Sequence, residues 1–198
     1  MGMTELVRNP KVMEEVQNEV RLVADGRERI EEGDLHKLEY LQCVVKETLR
    51  LHPPVPLLLP RESLGECNIN GYEIPARTRV MVNAWAIGRD PGTWGKNSEE
   101  FKPERFMNSS VDYKGTDFEF IPFGAGRRRC PGISFAMVSF ELVLANLLLR
   151  FDWKLATGAD VDMTEEYGLV LEKKVALFLI PIASKPSNNR DKRKRDPV

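Results

Sequence analysis

The chain has 198 residues, 42% of them hydrophobic and 30% charged, with a net charge of -1. That length suits one domain or a portion of a larger one, and the charge balance excludes a general attraction to nucleic acid or anionic membranes. Cys43, Cys67 and Cys130 are too few and too scattered for a disulfide framework or a CxxC zinc site, which points to a reducing compartment.

The opening stretch "MGMTELVRNPKVMEEVQNEVR" carries charge from Glu5 onward and shows neither a secretory signal nor an anchor. Asn9-Pro10 predicts a helix entry, with the asparagine as cap and the proline in the first turn, followed by Val12, Val16 and Val20. After a charged loop, Asp34 is expected to cap a second helix with the apolar stripe Leu38, Leu41, Val45 and Leu49. "HPPVPLLLP" ends that helix, because a residue before proline is driven out of the helical region.

From Cys67 the pattern turns to strands. "CNINGYEIP" places Asn70-Gly71 between short segments, a strong hairpin signal, and "RTRVMVNAW" reads as a further strand. Residues 90–115 are mainly loop, longer than compact domains usually carry without a functional reason. Ile133 to Leu149 is the most apolar run, but it includes Glu141 and Asn146 and falls short of the usual spanning length of about 20 residues, so it reads as a buried helix. Trp153 to Leu155 and a closing hairpin, Leu169 to Leu171 against Val175 to Ile180, complete the pattern. The tail 185–198 has six basic and two acidic residues and reads as a disordered terminus; nuclear targeting or contact with anionic lipid is the sharper alternative.

The chemistry concentrates in "PFGAGRRRCPG". A thiolate is the form of cysteine that binds metal or attacks, and neighbouring arginines and a helix amino terminus both favour it. Arg127, Arg128 and Arg129 precede Cys130, and the apolar helix begins three residues after it. Gly126 and Gly132 would let something large and flat approach the backbone. A nucleotide loop would need Lys-Ser or Lys-Thr after the glycines, and a phosphatase-like loop an arginine soon after the nucleophile; neither is present. A thiol protease needs a histidine base, for which His36 and His52 are poorly placed. An inert core cysteine is the remaining plain reading.

The spacing F-x-x-G-x-R-x-C-x-G, across Phe123, Gly126, Arg128, Cys130 and Gly132, closely resembles the haem-binding loop of the cytochrome P-450 family. "KETLRLHPP", with Glu47 and Arg50 on one helix face, "FKPERF", with Arg105, and "VNAWAIGRDP" stand in the same order as in that family, over about Met3 to Ile182. The wording is most similar to the plant microsomal group. The resemblance implies a mainly α fold with small β-sheets (α+β), the carboxy-terminal part of the P-450 fold, over 1–184, with the tail 185–198 apart.

It further implies haem b (iron protoporphyrin IX) held by Cys130 as axial thiolate, with Phe123 beside the sulfur, Gly124 and Gly132 in the loop, Arg128 and Arg61 on the propionates, and Ala136 leaving room for the macrocycle. Glu47, Arg50 and Arg105 would form a buried charge network with a folding role. Val55, Leu57, Leu169 and Val170 would line the substrate, though core packing accounts for them equally well. The implied activity is insertion of one oxygen atom from O2 into a hydrophobic small molecule, with electrons from NADPH through a reductase that docks on the cationic side. No nucleic-acid partner is expected.

The 198 residues contain no Ala-Gly-x-Asp/Glu-Thr segment of the kind found in the family's central helix. The chain therefore reads as truncated and inefficient alone. A full-length relative is expected on the cytosolic face of the endoplasmic reticulum membrane, attached by an amino-terminal anchor missing here, and this chain in the cytoplasm. The alternative is a non-catalytic product that binds a partner protein, with the basic tail as a candidate contact.

Overall fold

The computed structural model describes residues 1–156 and 161–184. The expected basic tail lies outside the described residues. Helices α1 (Gly2–Arg8) and α2 (Pro10–Ala24) open the chain. Pro10 occupies the first turn of α2, where a missing N–H costs nothing, but Asn9 does not cap it. Its Nδ2 donates instead to the Glu5 carbonyl at 2.9 Å, which also accepts from Asn9 N at 3.0 Å, so the residue closes α1.

The second predicted helix is α3 (Glu39–Leu51), preceded by a 3-10 turn over Glu32–Lys37. Asp34 sits inside that turn, where its carboxylate accepts from Glu31 N at 3.2 Å and Arg27 Nη1 at 2.7 Å, and so cannot cap α3. The cap comes from α2: the Glu19 carboxylate accepts from Tyr40 N and Leu41 N at 2.8 and 2.9 Å. A long-range cap of this kind leaves no local signature in the chain.

Four short strands follow, β1 (Arg61–Glu62), β2 (Cys67–Ile69), β3 (Tyr72–Ile74) and β4 (Arg79–Val80). The β2–β3 hairpin turns at Asn70-Gly71, both at positive φ (51° and 86°), which glycine tolerates freely and asparagine better than most residues. β4 pairs antiparallel with β1 and stops at Val80. The longer strand expected over "RTRVMVNAW" is cut short by α4 (Ala84–Ile87), whose first turn is capped by Asn83 Oδ1 accepting from Ala86 N at 2.9 Å. Within the following loop lie α5 (Pro91–Trp94) and a 3-10 turn at Pro103–Phe106.

The apolar run forms α6 (Ile133–Arg150), which has the length and composition of a membrane span. It packs on α2 and α3 through Met137, Leu144, Ala145 and Leu148, so it is buried on one stripe. The outer face, with Phe135 81% and Val143 60% exposed, is open, so the helix expected to be buried is buried on one side. Leu38, Leu41 and Val45 from the α3 side and Val16 and Val20 from α2 complete the same core.

The chain ends in β5 (Phe151–Leu155), β6 (Glu165–Tyr167), β7 (Leu171–Lys173) and β8 (Leu179–Ala183). The closing pairing differs from the expected one. β7 pairs with β6 across a turn at residues 168–170, and β8 reaches back to β5, with Phe151 opposite Ala183 and Leu155 opposite Leu179. The polar run Glu165-Glu166-Tyr167 lacks apolar alternation and is a strand by virtue of its pairing with β7, Tyr167 opposite Leu171.

Candidate haem-binding site

Cys130 stands exposed at the end of a tightly bonded loop, two residues before the amino-terminal cap position of α6. Gly124 N donates to Ile121 O at 2.9 Å, Cys130 N to Phe123 O at 3.0 Å and Arg129 N to Gly126 O at 3.2 Å, so the backbone from 121 to 130 is pinned by its own amides. Gly124 and Gly126 both have positive φ (74° and 69°), a conformation that a side chain would strain. Ala136 N donates to Gly132 O at 2.9 Å, the bond that starts α6. The amides ahead of that bond have no intrahelical partner and lie beside the cysteine.

The expected flanking residues are brought to the same loop. Phe123 is half-buried and meets the Tyr113 ring edge-on, with centroids 6.1 Å apart. Arg61, on β1, donates from Nη2 to the Arg128 carbonyl at 2.9 Å, and Arg129 Nη1 donates to Lys114 O at 2.7 Å. Among the described residues no carboxylate pairs with Arg61, Arg127, Arg128 or Arg129. Exposed guanidinium groups of this kind are the side chains best suited to a carboxylate. A Cβ on Gly132 would lie 3.8 Å from Cys130 Sγ, so the glycine leaves one side of the sulfur open.

Behind the loop, Glu47 and Arg50 have no exposed side-chain surface and Arg105 very little. Glu47 Oε2 accepts from Arg50 Nε at 2.7 Å, and Oε1 accepts from Arg50 Nη2, Arg105 Nε and Lys102 N at 2.8, 2.9 and 2.7 Å. Arg50 Nη1 donates to the carbonyls of Gly88 and Ser98, and Nη2 to that of Glu100 at 3.1 Å. One carboxylate and two guanidinium groups thus fasten α3 to the loop over 88–105, and the loop carries Trp94 against both arginines.

The two apolar segments also converge. Leu171 N donates to Pro54 O at 2.8 Å, which sets the 168–170 turn beside residues 55–59. Leu57, Leu169 and Val170 are exposed and Val55 half-buried, so these residues form an open edge and do not belong to the closed core. A cluster that sequence reasoning missed lies next to them: His52 meets Glu5 and Glu165 with its two ring nitrogens. No spacing pattern could have shown it, since its members are 47 and 113 residues from His52 along the chain.

The sequence profile described as Cytochrome P450 matches residues 1–180. Cytochrome P450 71D10 of Glycine max is 60% identical over 188 residues, covering 93% of this chain and 37% of that protein. Tabersonine 16-hydroxylase 2 of Catharanthus roseus is 53% identical over 195 residues, covering 96% and 38%. A solved zebrafish cytochrome P450 structure with abiraterone superposes with a TM-score of 0.82 at 30% identity, over 92% of this chain and 42% of that one. The chain spans somewhat over a third of the length of these curated relatives. The profile match contains the cysteine loop and the Glu47, Arg50 and Arg105 cluster together, on a backbone that follows the solved fold: this chain belongs to the cytochrome P450 family.

Proposed function

We propose that this chain forms the thiolate-bearing wall of a haem monooxygenase acting on a hydrophobic small molecule. The observation that carries this reading is the exposed Cys130 with arginines around it that have no acidic partner among the described residues, on a loop whose glycines keep the approach clear. A porphyrin needs a soft ligand for its iron, cations for its two carboxylates and flat, side-chain-poor ground against one face. Cys130, Arg61 with Arg128, and Gly124, Gly132 and Ala136 answer those needs in turn. Haem bound there supplies oxygen activation, with reducing equivalents from NADPH through a reductase.

The protein's own contribution is placement. Phe123 packs against Tyr113, which anchors the start of the loop. Bonds donated by Cys130 N to Phe123 O and by Arg129 N to Gly126 O hold that backbone at fixed positions, so the thiol is presented without searching. Arg127 and Arg129 lie on the exposed side, where cationic charge would steer an acidic reductase surface. The open apolar edges at Val55, Leu57, Leu169 and Val170 suit a hydrophobic substrate.

These 198 residues supply one wall of such a pocket. Alone they are expected to hold haem weakly and to turn over inefficiently, because the opposite haem face would stay in water. The test is a hemin titration of the purified chain against Cys130→Ser, followed by reduction under carbon monoxide. The wild type should show the strongly red-shifted band of a thiolate ligand, and the serine variant should lose it. At hemin concentrations that saturate both chains, identical spectra would overturn the assignment of Cys130.

A further inference from the structure

The β6–β7 hairpin has three residue pairs, and a two-stranded hairpin of that size is marginal without outside support. One short segment, 52–54, contacts both of its strands. His52 Nδ1 lies 2.6 Å from Glu165 Oε1 on β6, and Leu171 N on β7 donates to Pro54 O at 2.8 Å. His52 is itself mounted rigidly, because its N–H donates to Thr48 O at 2.8 Å and closes the last turn of α3. From the other side, Nε2 lies 2.8 Å from Glu5 Oε1. Glu5 is held in turn by Asn9 Nδ2, 3.3 Å from Oε2, and by Arg8, 3.7 Å away. The three side chains are only 5–9% exposed, so water competes little for these contacts.

The turn carried by this hairpin presents Leu169 and Val170, 66% and 46% exposed, while the chain leaving His52 presents Leu57 and Leu59. One stretch of backbone therefore mounts both apolar edges. We propose that His52 is a positioning residue which, gripped between Glu5 and Glu165, fixes the 168–170 turn against residues 55–59 and so sets which apolar molecules fit between them. The inference rests on the substrate-lining reading of those two segments.

Amide hydrogen exchange on the full 198-residue chain tests the clamp, and equilibrium dialysis of 4-alkylphenols, from ethyl to octyl, tests its consequence. In His52→Phe the amides of Leu171 and of Lys174, which donates to Thr164 O at 2.9 Å across the open end of the hairpin, should exchange about tenfold faster or more, with α2 and α6 unchanged. Glu165→Ala acts from the hairpin side and should reproduce that pattern, which keeps the test open if the histidine variant does not fold. The ratio of octylphenol to ethylphenol affinity should shift about tenfold in both variants and in Leu169→Ala.

Unchanged exchange at Leu171 and Lys174, or faster exchange throughout the chain, would overturn the clamp and leave the lining reading intact. A shifted ratio in Leu169→Ala alone would overturn the role of His52 in selection. Local loosening with no shift in any of the three variants would refute the lining reading, and the selective role with it.

Discussion

Replacing Glu47 by glutamine keeps the side chain's size and removes its charge. Four donors converge on the carboxylate, three of them at Oε1 and Arg50 Nε at Oε2. An amide oxygen can occupy the first position, but the amide nitrogen then faces Arg50 Nε, donor against donor. The Arg50 guanidinium, with no exposed surface, would keep its charge without a counter-charge in contact, Arg105 being a second cation. Breaking a buried pair in this way costs about 3–5 kcal/mol, a large part of the roughly 5–15 kcal/mol that holds a domain folded. Urea unfolding of wild type and Glu47→Gln, followed by circular dichroism, measures the difference. A loss below about 1 kcal/mol, the range of an exposed ion pair, would refute the reasoning.

Gly88→Ala should destabilise by about 1–3 kcal/mol or more in the same assay, because the added Cβ collides with the Arg50 carbonyl oxygen, a backbone atom that cannot step aside. Glu19→Ala removes the cap that accepts from Tyr40 N and Leu41 N and should cost roughly 0.5–2 kcal/mol, with exchange quickening first at those two amides. Tyr40 donates its hydroxyl to Glu104 Oε1 at 2.7 Å, and burial, with that carboxylate second, pushes the phenol well above its ordinary range. A group raised in the folded state stabilises fully below its unfolded pKa, so the stability difference between wild type and Tyr40→Phe should be flat up to about pH 9. It should shrink as pH rises through roughly 10 and beyond; a difference independent of pH from 8 to 11 would contradict this account.

Much of the architecture can be read in local chemistry. Period-four valines and the Leu38, Leu41, Val45 stripe mark helices because burial selects one face, and Asn70-Gly71 marks a hairpin because few residue pairs accept its backbone angles. The cysteine loop is legible for the same reason: its glycines, its thiol and its arginines lie within ten residues of one another. The failures share a cause as well. Asn9 and Asp34 carry capping side chains, yet each bonds elsewhere, and the actual cap of α3 comes from Glu19, some twenty residues upstream.

The same distinction separates the visible part of the site from the hidden part. Glu47 and Arg50 can be paired from their spacing, but their burial depends on Arg105 and on the carbonyls of a loop forty to fifty residues further along. The polar strand Glu165-Glu166-Tyr167 pairs with β7 and meets His52 through Glu165, and β8 pairs with β5 and not with its neighbour in the chain. Residue type and close spacing disclose which chemistry is available. Which distant groups are brought into contact depends on how helices and loops pack, and packing is a property of the whole chain.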